Sequence, residues 1–210
     1  MRKSNLLLLI TLLFIGYACV NKEQTLPTSY QHIGEGVTNA VFRGNHNNNV
    51  LTGSNSDDQL FGAGGNDVIR GKGGNDLLKG GEGDDVLYGG NGDDTLIGGN
   101  GKNILYGGAG NDKLFIAEGG GEMHGGDGDD IFHIKPQSSG YKQTNVFGGN
   151  GTYNRIRIYV NSTDVVLVPY AFRPDNKSYS GAYYIKEGVG GSINFEDIHA
   201  IIFNDKTEGF

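Results

Sequence analysis

Apolar residues recur every nine positions along the middle of the chain: Leu51, Leu60, Ile69, Leu78, Leu87, Leu96, Leu105, Leu114, Met123 and Phe132. Each is followed, one residue later, by a run rich in glycine, asparagine and aspartate. A single inward side chain between two outward ones describes a short strand with period-two alternation. The pattern therefore predicts three residues of strand alternating with six of turn. Strands so short need neighbours. Stacked coil on coil, two nonapeptides to each coil, they form two parallel sheets that face each other across a column of Leu and Ile, an all-β solenoid.

In register the phrases read Gly62-Ala63-Gly64-Gly65-Asn66-Asp67-Val68-Ile69-Arg70, then Gly71-Lys72-Gly73-Gly74-Asn75-Asp76-Leu77-Leu78-Lys79, and so on through Gly80 and Gly89. The period continues through Gly98 and Gly107, breaks at Ile116 to His124 and returns at Gly125. The first, second and fourth places are mostly Gly, which tolerates positive φ and lets the backbone turn sharply. The sixth place is usually aspartate. Because alternate repeats lie one above the other, about 4.8 Å apart, these aspartates stack into two rows, one on each edge. Like charges that close repel and call for a counter-charge. A hard cation bound by carboxylates and main-chain carbonyls answers that need, and Ca²⁺ fits such flexible cages better than Mg²⁺.

These phrases resemble the repeats of the RTX (haemolysin-type) calcium-binding family, whose motif reads Gly-Gly-x-Gly-x-Asp-x-apolar-x. The resemblance spans a little under half of the chain, from Gly44 to His133. It implies a parallel β-roll with Ca²⁺ held between successive coils by the sixth-place Asp and by carbonyls of the Gly turns. Carried over place by place, the ligands are Asp58, Asp67, Asp76, Asp85, Asp94, Asp112 and Asp130.

The two rows are not alike. One holds Asp58, Asp76, Asp94, Asp112 and Asp130 without exception, and the other Asn49, Asp67, Asp85, Asn103 and Gly121. Charge count tunes Ca²⁺ affinity, so one long, strong row and one shorter, weaker row centred on Asp67 and Asp85 are expected. The alternative is that Asn supplies an equivalent neutral oxygen and the rows behave alike.

Residues 1–19 read as an export leader: Arg2 and Lys3, an apolar run from Leu6 to Ile15, then Gly16-Tyr17-Ala18-Cys19. Cys19, the one cysteine in the chain, stands where a bacterial lipoprotein is cut and lipidated, although Gly16 replaces the Leu usual three places earlier. Cleavage after Ala18 without lipid is the alternative. An N-terminal leader departs from the C-terminal secretion signal common in the resembled family. With no second cysteine there is no internal disulfide, so an exported fold must be held by something else, and extracellular Ca²⁺ is available. Residues 20–43 read as a polar tether ending in a cap strand at Val41-Phe42, with a worn first repeat from Asn45 to Asn49. Residues 134–210 read as a degenerate final turn, with Asn154 at the sixth place, followed by a β-strand cap that includes Ile156-x-Ile158, Val165-x-Leu167, Tyr183 to Ile185 and Ile198 to Phe203.

A net charge of −7 disfavours nucleic acid and anionic lipid as partners, so a membrane role would come only through a lipid anchor. Thirty-eight glycines and a low apolar content point to disorder without metal. The outward places beside the weaker row, Val50, Val68, Val86 and Ile104 with Tyr88 and Tyr106, form an apolar stripe. Another part of the chain or a second copy could cover it; alternatively the tyrosines are platforms for a cell-surface polysaccharide or protein. The five histidines lack metal-ligand spacing, and no nucleophile, base and orienting group stand together. The sequence thus describes a calcium-binding, exported surface or adhesive protein that is not an enzyme. A polysaccharide-modifying enzyme using Arg70 and His124, and a purely structural spacer, are its rivals.

Overall fold

A computed structural model describes residues 24–25, 30–32, 38–117, 119–135, 142–159, 165–168, 179–185 and 192–203. These residues form strands and turns with no helix among them. The first sheet runs β1 (Gln24–Thr25), β3 (Val41–Arg43), β5 (Gln59–Gly64), β7 (Leu77–Glu82), β9 (Thr95–Asn100), β11 (Lys113–Ile116), β13 (Ile131–Ile134), β15 (Arg155–Ile158) and β19 (Ala200–Phe203), all parallel. The second runs β2 (Tyr30–His32), β4 (Val50–Thr52), β6 (Val68–Gly73), β8 (Val86–Asn91), β10 (Asn103–Ala109), β12 (Gly121–Asp127), β14 (Gln143–Gly149) and β18 (Ser192–Ile198), again parallel. Beyond β18 lie β17 (Tyr179–Ile185) and β16 (Val165–Val168), each antiparallel to its neighbour. The chain alternates between the sheets at each repeat, the winding of a parallel β-roll.

The eighth-place residues are in strict register. Leu60, Leu78, Leu96, Leu114, Phe132 and Ile156 pair along the first sheet, and Leu51, Ile69, Leu87, Leu105, Met123 and Val146 along the second. All twelve are fully buried. Their column is the core, and its aliphatic side chains are what the coils bury against one another.

The strands are longer than the apolar pattern predicts. Strands β5 to β9 each hold six residues, running on through the first three places of the next repeat. In β6 the eighth, first and third places are buried in alternation, but Gly71 and Gly73 stand at two of them and leave no side chain to reveal the period. The glycines also serve different needs. Second and fourth places have positive φ, as at Gly81 (123°) and Gly83 (117°), whereas first-place glycines do not and are required for space alone.

The break at Ile116 to His124 leaves the winding intact, since Leu105 still pairs with Met123. Both sheets continue past residue 133, through β14 and β15 in the stretch read as a degenerate final turn and through β18 and β19 in the stretch read as a cap. Likewise β1 and β2 lie within the stretch expected to be a tether. The leader and Cys19 fall outside the described residues.

Candidate metal centre

Each candidate aspartate closes a turn immediately before the next strand begins, with its side chain turned inward beneath the corner. All seven candidate aspartates are buried there. Their first carboxylate oxygens form a ladder along the roll: the backbone N–H of each sixth-place residue donates to Oδ1 of the sixth-place residue one coil later. In the long row Asp58, Asp76, Asp94 and Asp112 donate to Asp76, Asp94, Asp112 and Asp130 at 2.7–2.9 Å. Ala40 N–H opens that row on Asp58, and Asp130 N–H closes it on Asn154 Oδ1. In the short row Asn49 donates to Asp67, Asp67 to Asp85 and Asp85 to Asn103, where the ladder ends because Gly121 has no side chain.

The second oxygens are different. Oδ2 of Asp67, Asp76, Asp85, Asp94, Asp112 and Asp130 is buried and has no hydrogen-bond partner. A Cβ added at Gly62 would press on Asp67 Oδ2 and on the carbonyl oxygen of Gly80, one coil on; Gly71, Gly80, Gly89, Gly107 and Gly125 repeat the arrangement. Each free oxygen therefore shares a small cradle with a main-chain carbonyl. Asp58 is the exception, because its Oδ2 accepts from both the N–H and the hydroxyl of Ser54 at 2.7 and 2.9 Å.

Buried carboxylates without a counter-charge resist ionisation. Burial pushes Asp67 and Asp112 up to about 6, and Asp76, Asp85, Asp94 and Asp130 up to about 7. The N–H donated from the preceding coil pulls the other way, and row neighbours add to the rise at Asp76, Asp85, Asp94 and Asp130. Two full charges one coil apart would repel by about 3–4 kcal/mol at an effective dielectric of about 20.

An orphaned, buried, anionic oxygen beside carbonyls suits a hard divalent cation. No three acidic, histidine or cysteine side chains converge among the described residues. Six to eight oxygens must then come largely from the backbone, which the glycine turns leave accessible. The residues present fit Ca²⁺ on these terms.

Asn103 shows what replaces the cation. Its Oδ1 accepts the Asp85 N–H, which leaves Nδ2 on the branch that is Oδ2 elsewhere, donating to the carbonyls of Gly99 and Gly101 at 3.3 Å each. The amide satisfies carbonyls of its own turn. Asn154 does the same toward the Asp197 carbonyl.

The fifth place, which the motif leaves unspecified, carries a second ladder running the opposite way. Oδ1 of Asn48, Asp57, Asn66, Asn75, Asp84, Asp93 and Asn111 accepts the fifth-place N–H of the following coil. Asp129 accepts the Thr152 hydroxyl and both the Thr152 and Tyr153 N–H, which accommodates the extra residue in that turn, and these donors, the hydroxyl first, hold its carboxyl below the usual range. The recurrence of Asn or Asp at nine-residue intervals, interrupted by Lys102 and Gly120, was the available signal.

On the outer face of the second sheet Tyr88, Tyr106, His124 and Phe147 stack ring on ring, with centroids 4.6–5.0 Å apart. The Arg70 guanidinium covers the end ring, 5.2 Å from the Tyr88 centroid. The ring faces are turned to one another and not outward, so Tyr88 and Tyr106 do not present platforms. Arg70 and His124, the candidate catalytic pair, are both part of this ladder.

Residues 43–78 and 79–114 each match the family described as RTX calcium-binding nonapeptide repeat (4 copies). A comparison with curated proteins gives no significant match. The matched blocks are the stretch in which β5 to β11 wind in unbroken register and most of the orphaned carboxylate oxygens lie. Residues 43–114 are thus an array of RTX repeats, a kind of repeat that binds Ca²⁺, wound as a parallel β-roll.

Proposed function

We propose that the chain is an exported surface protein whose roll assembles on Ca²⁺, with Asp76, Asp94, Asp112 and Asp130 as the principal ligand row and Asp67 and Asp85 as a shorter one. The observation that carries this reading is the pair of stacked rows in which six buried carboxylate oxygens meet no donor. Asp58 would bind more weakly, because Ser54 already serves its second oxygen. Asn103 and Gly121 would end the short row, the first by its amide and the second by lacking a side chain. Bound Ca²⁺ supplies positive charge and accepts oxygen ligands; the chain's part is to present carboxylates and turn carbonyls in a fixed stack.

Export supports the reading, since extracellular modules function with weak sites that cytosolic Ca²⁺ would leave empty. The metal would act as a folding switch, with the chain disordered at low Ca²⁺ and rigid outside the cell. Circular dichroism of the mature chain during a Ca²⁺ titration tests it. Cooperative gain of β-structure is expected; full, heat-resistant β-structure in excess chelator would overturn it.

A further inference from the structure

The two outer faces of the roll differ in charge. On the strands of the second sheet the charged residues are Arg70, Lys72, Glu122, Asp127, Glu196 and Asp197, an acidic balance. On those of the first sheet they are Arg43, Lys79, Lys113, Arg155 and Arg157, opposed by Glu82 alone. A chain of net charge −7 thus carries a basic strip.

Strand register gives the strip its geometry. Arg43 and Lys79 occupy the ninth place two coils apart, Lys113 stands at the seventh place two coils further on, and Arg155 follows two coils after that, with Arg157 beside it. At about 4.8 Å per coil, positive charge recurs roughly every 9–10 Å along the axis. The strip is two alternate places wide, about 7 Å. Arg43, Lys79 and Lys113 are exposed. Among the described residues no carboxylate pairs with Lys79, Lys113, Arg155 or Arg157. Between the cations lie half-buried Phe61, Leu77, Ile97, Phe115 and Ile131. At one end a groove of about 440 Å³ opens between Arg43, Phe61 and Lys79 over a floor of Gly80, Gly81 and Gly99, with Glu82 and Asn100 among its lining residues. The strip's potential is felt by buried His133, whose pKa is pushed down to about 4 by burial and by Arg157 and Lys113.

We propose that the outer face of the first sheet is a docking strip for a single chain of a linear acidic polysaccharide, a partner class that rests on the surface-protein reading above. Charge complementarity selects an anion, and the spacing selects which kind. Duplex DNA carries a charge about every 1.7 Å and takes its affinity from dense neutralisation, which five cations on an acidic protein do not provide. A strip about 7 Å wide suits one polymer chain and not a planar bilayer. The alternation of cations with apolar side chains matches a sugar polymer whose carboxylates are separated by the apolar faces of its rings.

The test is binding of the full mature chain, in Ca²⁺, to hyaluronan oligosaccharides, which carry one carboxylate per disaccharide. Salt-sensitive binding is expected, weakened about tenfold by Lys79→Gln with Lys113→Gln and unchanged by Arg70→Gln with Lys72→Gln, which removes the same charge from the other face. Circular dichroism in Ca²⁺ confirms that each variant is folded. Equal binding of neutral dextran, tighter binding of duplex DNA or of phosphatidylglycerol vesicles, or full retention by the Lys79/Lys113 variant would overturn the proposal. Absence of hyaluronan binding by a chain that still folds on Ca²⁺ also overturns it while leaving the calcium reading intact; folding independent of Ca²⁺ would instead remove that reading.

Discussion

The main-chain N–H of Asp76 donates to Oδ1 of Asp94 at 2.7 Å, one coil along, while Oδ2 of the same Asp94 carboxylate meets no donor at all. One side chain thus joins two coils and leaves an anionic oxygen for a cation. The two roles separate by mutation. Asp94→Asn keeps an acceptor for Asp76 N–H, whereas Asp94→Ala orphans it, so Ala should cost about 1–3 kcal/mol more than Asn in denaturant titrations in Ca²⁺. Equal destabilisation by the two would show that the ladder bond is unimportant.

The rows should differ in metal content. Asp76→Ala interrupts the row of five aspartates and should lower bound Ca²⁺, measured by equilibrium dialysis, more than Asp67→Ala does. Matching losses would mean the rows are equivalent.

Asn103→Asp should add metal. The substitution replaces the Nδ2 that donates to Gly99 and Gly101 with an anionic oxygen, freeing two carbonyls and extending the short row beyond Asp85. A gain of about one Ca²⁺ per chain is expected, with the unfolding midpoint becoming more Ca²⁺-dependent. An unchanged stoichiometry would mean that the amide is not standing in for a cation.

Acid should have opposite effects with and without metal. In the unfolded chain these carboxyls titrate near 3.8; in the metal-free roll, burial raises Asp67 to about 6 and Asp76, Asp85, Asp94 and Asp130 to about 7. Between those values the folded state binds more protons, so the metal-free roll gains stability as pH falls from about 7 toward 4 and loses it as pH rises. Ca²⁺ needs the ionised form, so its affinity should fall over the same range. Circular dichroism against pH, in chelator and in Ca²⁺, should show β-structure induced by acid in the first case. Acid-insensitive chelated protein would contradict the burial of these groups.

Ala63 and Lys72 hold second places at φ of 83° and 87°, where Gly stands in five of the six following repeats, Ala117 being the exception. Each strains a backbone conformation that disfavours a Cβ. Ala63→Gly and Lys72→Gly should each stabilise the roll by about 1 kcal/mol, read from the denaturation midpoint. Gly81→Ala should do the reverse and more, since its Cβ would run into the Ala63 carbonyl.

Much of this was legible in the sequence, and the reasons for the remainder are physical. The eighth-place column and the sixth-place rows could be read because period nine maps each onto one side of a coil. The six-residue strands could not, because the inward places that would mark them are Gly71 and Gly73 and their equivalents, with no side chain to show alternation. One degenerate turn beyond residue 133 could be read, but the coil after it was hidden by inserted residues: Asn145 pairs with Asn194, and Arg155 with Ala200, across 49 and 45 residues where the repeats span 18. Strands β1 and β2 are two and three residues long in polar surroundings, too short for any pattern. The tyrosine stripe was visible, but its stacking depends on exact register, which fixes ring against ring and takes the faces out of use.

The two ladders reach in opposite directions, fifth-place side chains toward the following coil and sixth-place side chains receiving from the preceding one, and both span 18 residues. Length in this molecule is accordingly quantised. A duplication or loss of 18 residues inside the array reproduces every clasp, whereas nine would lay the basic strip against the aromatic stack and put the short row's Asn103 over the long row's aspartates. Growth by whole turns is the change in length that such a chain can accept without unwinding.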